Sequence, residues 1–495
     1  MIRLQGPVIF EHGPVLGADE TAISVYRNTG NDRNGPILEG TSMRLLFASL
    51  FLILPACTPA TEPADLHTRK AGVDWPKFLG PTGDSVSTEK GIIVNWPAKG
   101  LRIVWQTKLG LGYSPPTVSN GRIFLFDAYA DAAKKAPHSR LTCRESETGK
   151  ELWKFEYESD YDDYFGYDNG PRCSPIIDGD RVYLHGAEGM LHCLNVENGK
   201  LLWKVNTHAD YLVLQNFFGV GSCPMIFENL VIVPIGGSPK GTPAGVDDFL
   251  ARKGNGTCLV AFDKLTGKEK YRLGDELASY SSPIVAQING KTMGLYLARG
   301  GLVGFDPSNG KELFHHPWRA RMLESVNAAN PVVAGDKVLI SECYGVGSAF
   351  LKIKGGGAEE IWSDADKGRQ ASLRCHWNTP IEHDGYVYAC SGRHTNEAEL
   401  RCVELATGKV MWRQRGLTRS SLLMVDGHFV CQCEDGNLLL LKVNPKKYEE
   451  VSRWDLGEAG LVEYPAWAAP VLSHGLLYLR GKEKLLCLEL IPEKK

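Results

Sequence analysis

Carboxylates alternate with phenol rings in one stretch of this 495-residue chain, around residues 156–168. Carboxylate oxygens are ligands for hard cations, and the rings beside them offer apolar faces to a sugar or a basic partner. The same composition is typical of a solvated acidic loop whose rings pack locally, and the sequence leaves both interpretations open. The candidate residues of this acidic-aromatic loop are Asp160, Tyr161, Asp162, Asp163, Tyr164 and Asp168.

Thirteen cysteines could supply disulfides or a zinc site. Several of them recur at one strand position where equivalent segments carry alanine or glycine, so we expect them to be small buried strand residues. Cys431 and Cys433 are separated by one residue, which places both thiols on the same face of a strand. This spacing suits neither a zinc knuckle nor an unstrained disulfide between the two cysteines. If Cys57 is lipidated, twelve cysteines remain. An even number permits disulfides but does not specify any pairing. The sequence indicates no metal site.

An internal repeat must position these residues. Five segments share a turn of Thr or Asn, Gly and Lys, and each carries a large aromatic residue four positions after the glycine. Glycine permits the positive φ that closes a β-hairpin, and the aromatic ring is expected to pack against the neighbouring unit. The predicted blade-docking residues are Trp105, Trp153, Trp203, Tyr271, Phe314 and Trp412.

A second recurring element predicts how many units there are. Seven short apolar runs open on a proline, which is tolerated at the first position of a strand, and Ser420-Ser421 opens an eighth. Turn pairs such as Asn120-Gly121 end these runs, so each unit is a four-stranded antiparallel meander. The last unit lacks an outer strand, which we expect Ile103 to Lys108 to supply. The prediction is an all-β, eight-bladed β-propeller over residues 74–495, closed by an N-terminal strand.

The segment Ala261 to Lys268 resembles the tryptophan-docking repeat of the pyrroloquinoline-quinone (PQQ)-like propeller family, with its Thr-Gly-Lys turn and an aromatic outer strand. The segment Asp74 to Pro81 resembles the opening of PQQ-like repeat proteins of planctomycete-type bacteria. This resemblance implies the propeller fold. It does not imply one chemistry, because the family contains quinone-dependent dehydrogenases and also non-catalytic scaffolds, such as the propeller lipoprotein of the outer-membrane β-barrel assembly complex.

A quinone enzyme needs faces that sandwich the cofactor, a divalent cation and a carboxylate base. The family's alcohol dehydrogenases stack the quinone on a disulfide between adjacent cysteines, and this sequence has no adjacent pair. His315-His316 has no evident third ligand, and no phosphate-binding glycine loop or nucleophile elbow occurs. We therefore expect no catalytic residues and no cofactor. A PQQ- and calcium-dependent alcohol or sugar dehydrogenase stays the alternative.

In a propeller, residues that shortly precede the inner strands cluster at the mouth of the central channel. Convergence of arginine, glutamate, histidine and tryptophan there suits a binding funnel, but channels also need polar linings simply to hold water. The sequence does not decide between these interpretations. The candidate channel-mouth residues are Arg172, Asn216, Glu324, Asn327, Arg374, His376, Trp377, Arg419, Glu463 and Trp467.

The apolar run from Leu45 to Leu54 follows a single arginine and precedes Cys57, as in a lipoprotein-type signal peptide over residues 43–57. A plain secretion signal is the alternative. Residues 1–42 are predicted to be a non-native extension, with translation starting at Met43. Residues 58–73 are expected to form a flexible tether from a lipidated Cys57 to the propeller.

The net charge is −3 without a long basic run, so we expect no nucleic-acid partner. The sequence predicts an exported, periplasmic and lipid-anchored monomer that binds an envelope protein or an extracellular ligand. The membrane contact is expected to be the lipid anchor alone.

Overall fold

The computed structural model describes residues 63–130, 137–245, 249–323 and 327–493. It is an all-β, eight-bladed propeller, and each blade contains four antiparallel strands, as the repeat predicted. The predicted extension, the signal peptide with Cys57, and Glu324 lie outside the described residues. Within the described ranges, no helix combines the length and apolar character needed to cross a membrane.

The first four blades follow one another along the chain. Blade one contains β3 (Thr117–Ser119), β4 (Arg122–Tyr129), β5 (His138–Glu145) and β6 (Glu151–Glu158). Blade two contains β7 (Ile176–Asp178), β8 (Arg181–His185), β9 (Met190–Asn195) and β10 (Leu201–Asn206), followed by the short helix α1 (Thr207–Tyr211). Blade three contains β11 (Met225–Phe227), β12 (Leu230–Pro234), β13 (Leu259–Asp263) and β14 (Glu269–Leu273). Blade four contains β15 (Ile284–Ile288), β16 (Lys291–Leu297), β17 (Gly301–Phe305) and β18 (Glu312–Pro317).

The second half repeats this order, and two strands from the N-terminal region, β1 (Val86–Ser87) and β2 (Ile103–Lys108), join its last two blades. Blade five contains β19 (Val332–Ala334), β20 (Lys337–Ser341), β21 (Ser348–Lys354) and β22 (Gly357–Ser363). Blade six contains β23 (Ile381–His383), β24 (Tyr386–Ser391), β25 (Glu399–Glu404) and β26 (Lys409–Gln414). Blade seven contains β27 (Ser420–Val425), β28 (His428–Cys433), β29 (Asn437–Lys442) and β30 (Glu450–Asp455). Blade eight contains β31 (Val471–Ser473), β32 (Leu476–Arg480) and β33 (Lys484–Glu489).

The ring closes through the N-terminal strand. β2 pairs antiparallel with β33, so that Trp105 lies opposite Cys487 and Lys108 opposite Lys484. This confirms the predicted outer strand of the last blade. Closure of this kind removes the two free edges that an open stack of sheets would expose.

Outer-strand aromatic residues link successive blades. The indole N–H of Trp203 donates to the Lys264 carbonyl of the next blade at 3.1 Å, and its ring covers Gly267. An added Cβ on Gly267 would lie 2.7 Å from that ring, which explains why the turn carries glycine. Equivalent bonds run from Trp105 to Ser146, from Trp153 to Val196, from Tyr271 to Pro307 and from Trp412 to Asn444. Phe314 instead packs in the apolar cluster shared by blades four and five.

One linking residue escaped the sequence analysis. Trp362 donates from its indole N–H to the Leu405 carbonyl at 2.7 Å and lies over Gly408, as its equivalents do in other blades. Its turn contains Gly355, Gly356 and Gly357 instead of Thr-Gly-Lys. The search for an aromatic residue four positions after the glycine of that turn therefore missed it.

The segment between residues 74 and 87 lies in the central channel. Trp75 forms an antiparallel bridge with Val118 of β3, and the Pro76 carbonyl accepts from Ile177 of β7 at 2.8 Å. β1 then runs parallel to β27 as a fifth strand on blade seven. Because β3, β7 and β27 are inner strands, the segment closes one end of the channel.

Twelve cysteines, from Cys143 to Cys487, are buried and free. Most lie in or beside strands, in apolar surroundings that raise the thiol pKa, as burial does for Cys375 to about 12.

Candidate functional site

A cavity of about 750 Å³ occupies the channel end at which the inner strands begin. Phe78, Leu79 and Ser85 of the channel segment line it and provide its floor. The wall is rich in rings, contributed by Tyr113, Tyr167, Phe218, Tyr280, Tyr344, Trp377, Tyr464 and Trp467. Such a lining offers flat apolar faces from several blades to one ligand.

The charged groups on this wall have one sign. Arg172, Arg393, Arg419 and Lys482 line the cavity, and no aspartate or glutamate among the described residues does. Arg393 lies over the Tyr344 ring at 4.7 Å, and no carboxylate of the described residues pairs with Arg393 or Lys482. Two cationic groups are therefore available to an anionic ligand.

Arg419 is fixed between two indole rings. Its guanidinium lies 4.5 Å from the Trp377 centroid and 5.3 Å from that of Trp467. It donates to Glu434 at 2.6 Å, and Glu434 has a fully buried side chain. Burial alone would raise the pKa of Glu434, but hydrogen bonds from Arg419, Trp467 and Thr395 lower it. The carboxylate therefore stays ionised and holds Arg419 in place.

The acidic-aromatic loop supplies a second fixed arginine. Asp163 has a buried side chain and accepts from Arg172 at 2.6 Å, while the Asp168 carbonyl accepts from the same guanidinium at 3.0 Å. Tyr161 is also buried, with its ring 5.4 Å from that guanidinium. Asp160, Asp162 and Tyr164 are exposed. The loop is thus divided between a scaffold for Arg172 and an exposed surface.

His376 adds a neutral polar group. Its Nε2 lies 3.2 Å from the Tyr344 hydroxyl, and burial together with the Arg419 and Arg393 charges lowers its pKa to about 3. The imidazole is therefore uncharged at neutral pH. His376 Nδ1 and Trp377 Nε1 are buried without a hydrogen-bond partner among the described residues. Unsatisfied groups of this kind are expected where a ligand completes the site.

Only half of the predicted channel-mouth residues line this cavity, namely Arg172, His376, Trp377, Arg419 and Trp467. Asn216, Asn327, Arg374 and Glu463 do not line it, and Glu324 lies outside the described residues. The Asn216 amide reaches the Ala278 carbonyl at 3.4 Å, and that of Asn327 donates to Ala298 at 2.6 Å. Arg374 pairs with Glu397 at 3.6 Å, and Glu463 with Lys484 at 3.4 Å.

Sequence reasoning missed the two available cations. Arg393 lies in the loop between β24 and β25, and Lys482 in the loop between β32 and β33, whereas the prediction used only residues that precede inner strands. In a meander, the loop between the second and third strands reaches the same end as the start of the first. That rule would have found both.

The lining does not fit a quinone with its calcium ion. Calcium takes about six to eight oxygen ligands, and many of these are carboxylates. The described lining of the cavity contains no carboxylate. The buried carboxylates of Asp163 and Glu434, which hold two arginines of the lining, are each bonded at 2.6 Å, so neither of these two is free to act as a base. The arginines could pair with the acid groups of a quinone. However, the described lining offers no carboxylate that could bind its metal ion or act as the base.

The sequence matches the family described as outer membrane protein assembly factor BamB, over residues 82–211 and 137–414. Among solved structures, BamB from Moraxella catarrhalis has 12% identity and a TM-score of 0.51, covering 79% of this chain and 97% of its own. Quinohemoprotein alcohol dehydrogenase from Comamonas testosteroni has 15% identity and a TM-score of 0.49, covering 85% and 82%. No curated protein matches the sequence. At these identities the structural likeness extends to the fold alone.

Proposed function

This chain belongs to the family described as outer membrane protein assembly factor BamB, and from this premise we propose that it is a non-catalytic binding module of the cell envelope. The central cavity holds an acidic segment of an envelope protein or an acidic extracellular ligand. The chain is exported to the periplasm, and lipidation of Cys57 tethers the monomer to a membrane.

The observation that carries this proposal is the uniform sign of the lining. Arg393 and Lys482 face a cavity whose described lining contains no carboxylate, so the site attracts anions and repels cations. The surrounding rings favour a ligand with apolar or planar groups beside its acidic ones. A membrane tether raises the effective concentration of the cavity near membrane partners.

The chemistry of the fixed groups supports binding over catalysis. Arg172 and Arg419 are held by buried carboxylates at 2.6 Å, an arrangement that preorganises two cations and commits both carboxylates to ion pairs. His376, neutral at pH 7, can accept or donate a hydrogen bond to the ligand.

The test replaces the two available cations, Arg393→Ala with Lys482→Ala, in the full chain. The matched control replaces two exposed lysines that do not line the cavity, Lys99→Ala with Lys447→Ala. Each charge-assisted hydrogen bond contributes about 1.5–3 kcal/mol, so recovery of the crosslinked partner from native envelopes should fall about tenfold or more. The control variant should recover as much partner as the wild type.

Equal recovery by both variants would contradict this site. A quinone-dependent alcohol or sugar dehydrogenase is the second candidate, favoured by arginines that could pair with quinone acid groups. Purified chain given PQQ and calcium would then reduce a dye when an alcohol or sugar is added. Such turnover would replace the binding proposal.

A further inference from the structure

Two histidines and an aspartate converge where the N-terminal segment meets the last blade. The Nε2 atom of His67 lies 3.0 Å from Asp74 Oδ1, and the Nε2 atom of His474 lies 3.4 Å from that same oxygen. All three ligand atoms fall within 4.8 Å of one another. Around an ion with bonds of about 2.1 Å, tetrahedral ligand atoms are separated by about 3.4 Å. The cluster is therefore close to the spacing that one ion requires.

A backbone carbonyl holds the second ring nitrogen of His474. Its Nδ1 lies 2.8 Å from the Arg69 carbonyl, and only an N–H can bond to that oxygen. Nε2 then faces the Asp74 carboxylate at 3.4 Å, and either a second proton on the ring or a metal ion can link these two groups. A backbone carbonyl bonded to the second ring nitrogen is the usual support of a metal-binding histidine.

His67 gives an independent indication. Its side chain is 3% exposed, and its Nδ1 is buried without a hydrogen-bond partner among the described residues. The carboxylate of Glu147 faces this nitrogen, with its Oε1 atom 3.7 Å away. If Nε2 binds an ion, Nδ1 carries the proton and Glu147 is the carboxylate placed to accept it.

We propose that His67, Asp74 and His474 form a binding site for a divalent ion of the zinc type, which fastens the N-terminal segment to the closing blade. Two imidazoles and a carboxylate are the donor set that such ions prefer, with a fourth position left for water. The two rings are now stacked with centroids 3.5 Å apart, and tilting of the rings would bring both Nε2 atoms onto one ion.

The turn that carries His474 supports this assignment. In blades one, four, six and seven the same inner-hairpin position holds asparagine or aspartate before glycine, as in Asn120-Gly121 and Asp426-Gly427, whereas blade eight has His474-Gly475 at a φ of +50°. Asparagine would close the turn equally well. The turn geometry by itself therefore does not require an imidazole.

The location explains what the ion would do. His67 precedes the channel segment and Asp74 begins it, while His474 follows β31, at the end of that strand away from the cavity. An ion would crosslink parts of the chain about 400 residues apart, at the seam of the ring. This site is separate from the ligand cavity and does not depend on the proposed function.

The test titrates untagged, chelator-treated full chain with Zn²⁺, and with Co²⁺ as a spectroscopic probe. The wild type should bind one equivalent and show the intense visible bands of tetrahedral Co²⁺. His474→Asn keeps the turn geometry but removes a ligand, and it should weaken binding about 100-fold or more. His383→Asn, which removes a partly exposed histidine beside the equivalent turn of blade six, should bind as the wild type does.

A second measurement separates metal binding from loss of fold. Zn²⁺ should raise the thermal midpoint of the wild type and of His383→Asn, and it should leave that of His474→Asn unchanged. Equal Zn²⁺ affinity for the wild type and His474→Asn would overturn the proposal. So would absence of any stoichiometric binding by the wild type, which would assign the cluster to a shared proton instead.

Discussion

At the residue scale, each turn glycine and its docking aromatic depend on each other. Gly267 has a φ of +70° and lies under Trp203, so both its backbone conformation and its missing side chain are used. Gly290 has a similar φ of +72°, but an added Cβ there would meet no atom within 4 Å. The two glycines therefore separate the cost of backbone strain from the cost of displacing the ring.

We predict that Gly267→Ala destabilises the protein more than Gly290→Ala. The control should cost about 1–2 kcal/mol because alanine is strained at positive φ. Gly267→Ala should cost about 2–5 kcal/mol because the new methyl group also pushes Trp203 off its hydrogen bond. Denaturant unfolding, followed by tryptophan fluorescence, measures both. Equal losses would show that the ring does not need the glycine.

The residue pattern was predictable wherever the contact is local in sequence. A turn glycine and an aromatic residue four positions later identify five of the linking contacts without knowledge of the fold. Trp362 was missed because its hairpin turn is shorter and lacks the Thr-Gly-Lys pattern, although its ring makes the same contact. The His67, Asp74 and His474 cluster could not be predicted, because the pairing joins the two ends of the chain.

At the element scale, the channel segment determines the shape of the cavity. Trp75 is 2% exposed and bonds to β3, and residues 86–87 extend blade seven inward. The closing strand β2 was predictable, because the last repeat unit lacked a strand and the opening segment had one to spare. The channel segment was not, because its strand is only two residues long and shows no periodicity.

We predict that Trp75→Ala lowers the free energy of unfolding by about 3–5 kcal/mol, as expected for a large buried ring. Amide hydrogens of residues 79–87 should exchange faster, because the segment loses its bridge to β3. Tyr464→Ala, at an exposed ring on the cavity rim, should change stability by no more than about 0.5 kcal/mol. Hydrogen exchange with mass spectrometry tests both variants. Unchanged exchange in Trp75→Ala would mean that the segment is held by other contacts.

At the scale of the whole molecule, the ring brings loops from most blades to one wall. Arg172, Arg393 and Lys482 are far apart in sequence and meet only because the eight blades close. The sequence could place residues near the mouth, but it could not decide which side chains turn inward. Asn327 and Arg374 turn instead to partners in the wall, since loop packing decides side-chain direction.

The proposal that the cavity binds an envelope partner is tested most directly by photocrosslinking from each end of the propeller in native membranes. One probe replaces Tyr167, which lines the cavity and is 55% exposed, and the other replaces Leu265, which is 52% exposed in the turn between β13 and β14 at the other end. We predict that the Tyr167 probe captures an envelope partner, that adding Arg393→Ala with Lys482→Ala abolishes this capture, and that the Leu265 probe captures nothing comparable. Two results would contradict this binding site. One is capture of the same partner by the Leu265 probe, and the other is capture by the Tyr167 probe that persists after Arg393 and Lys482 are replaced.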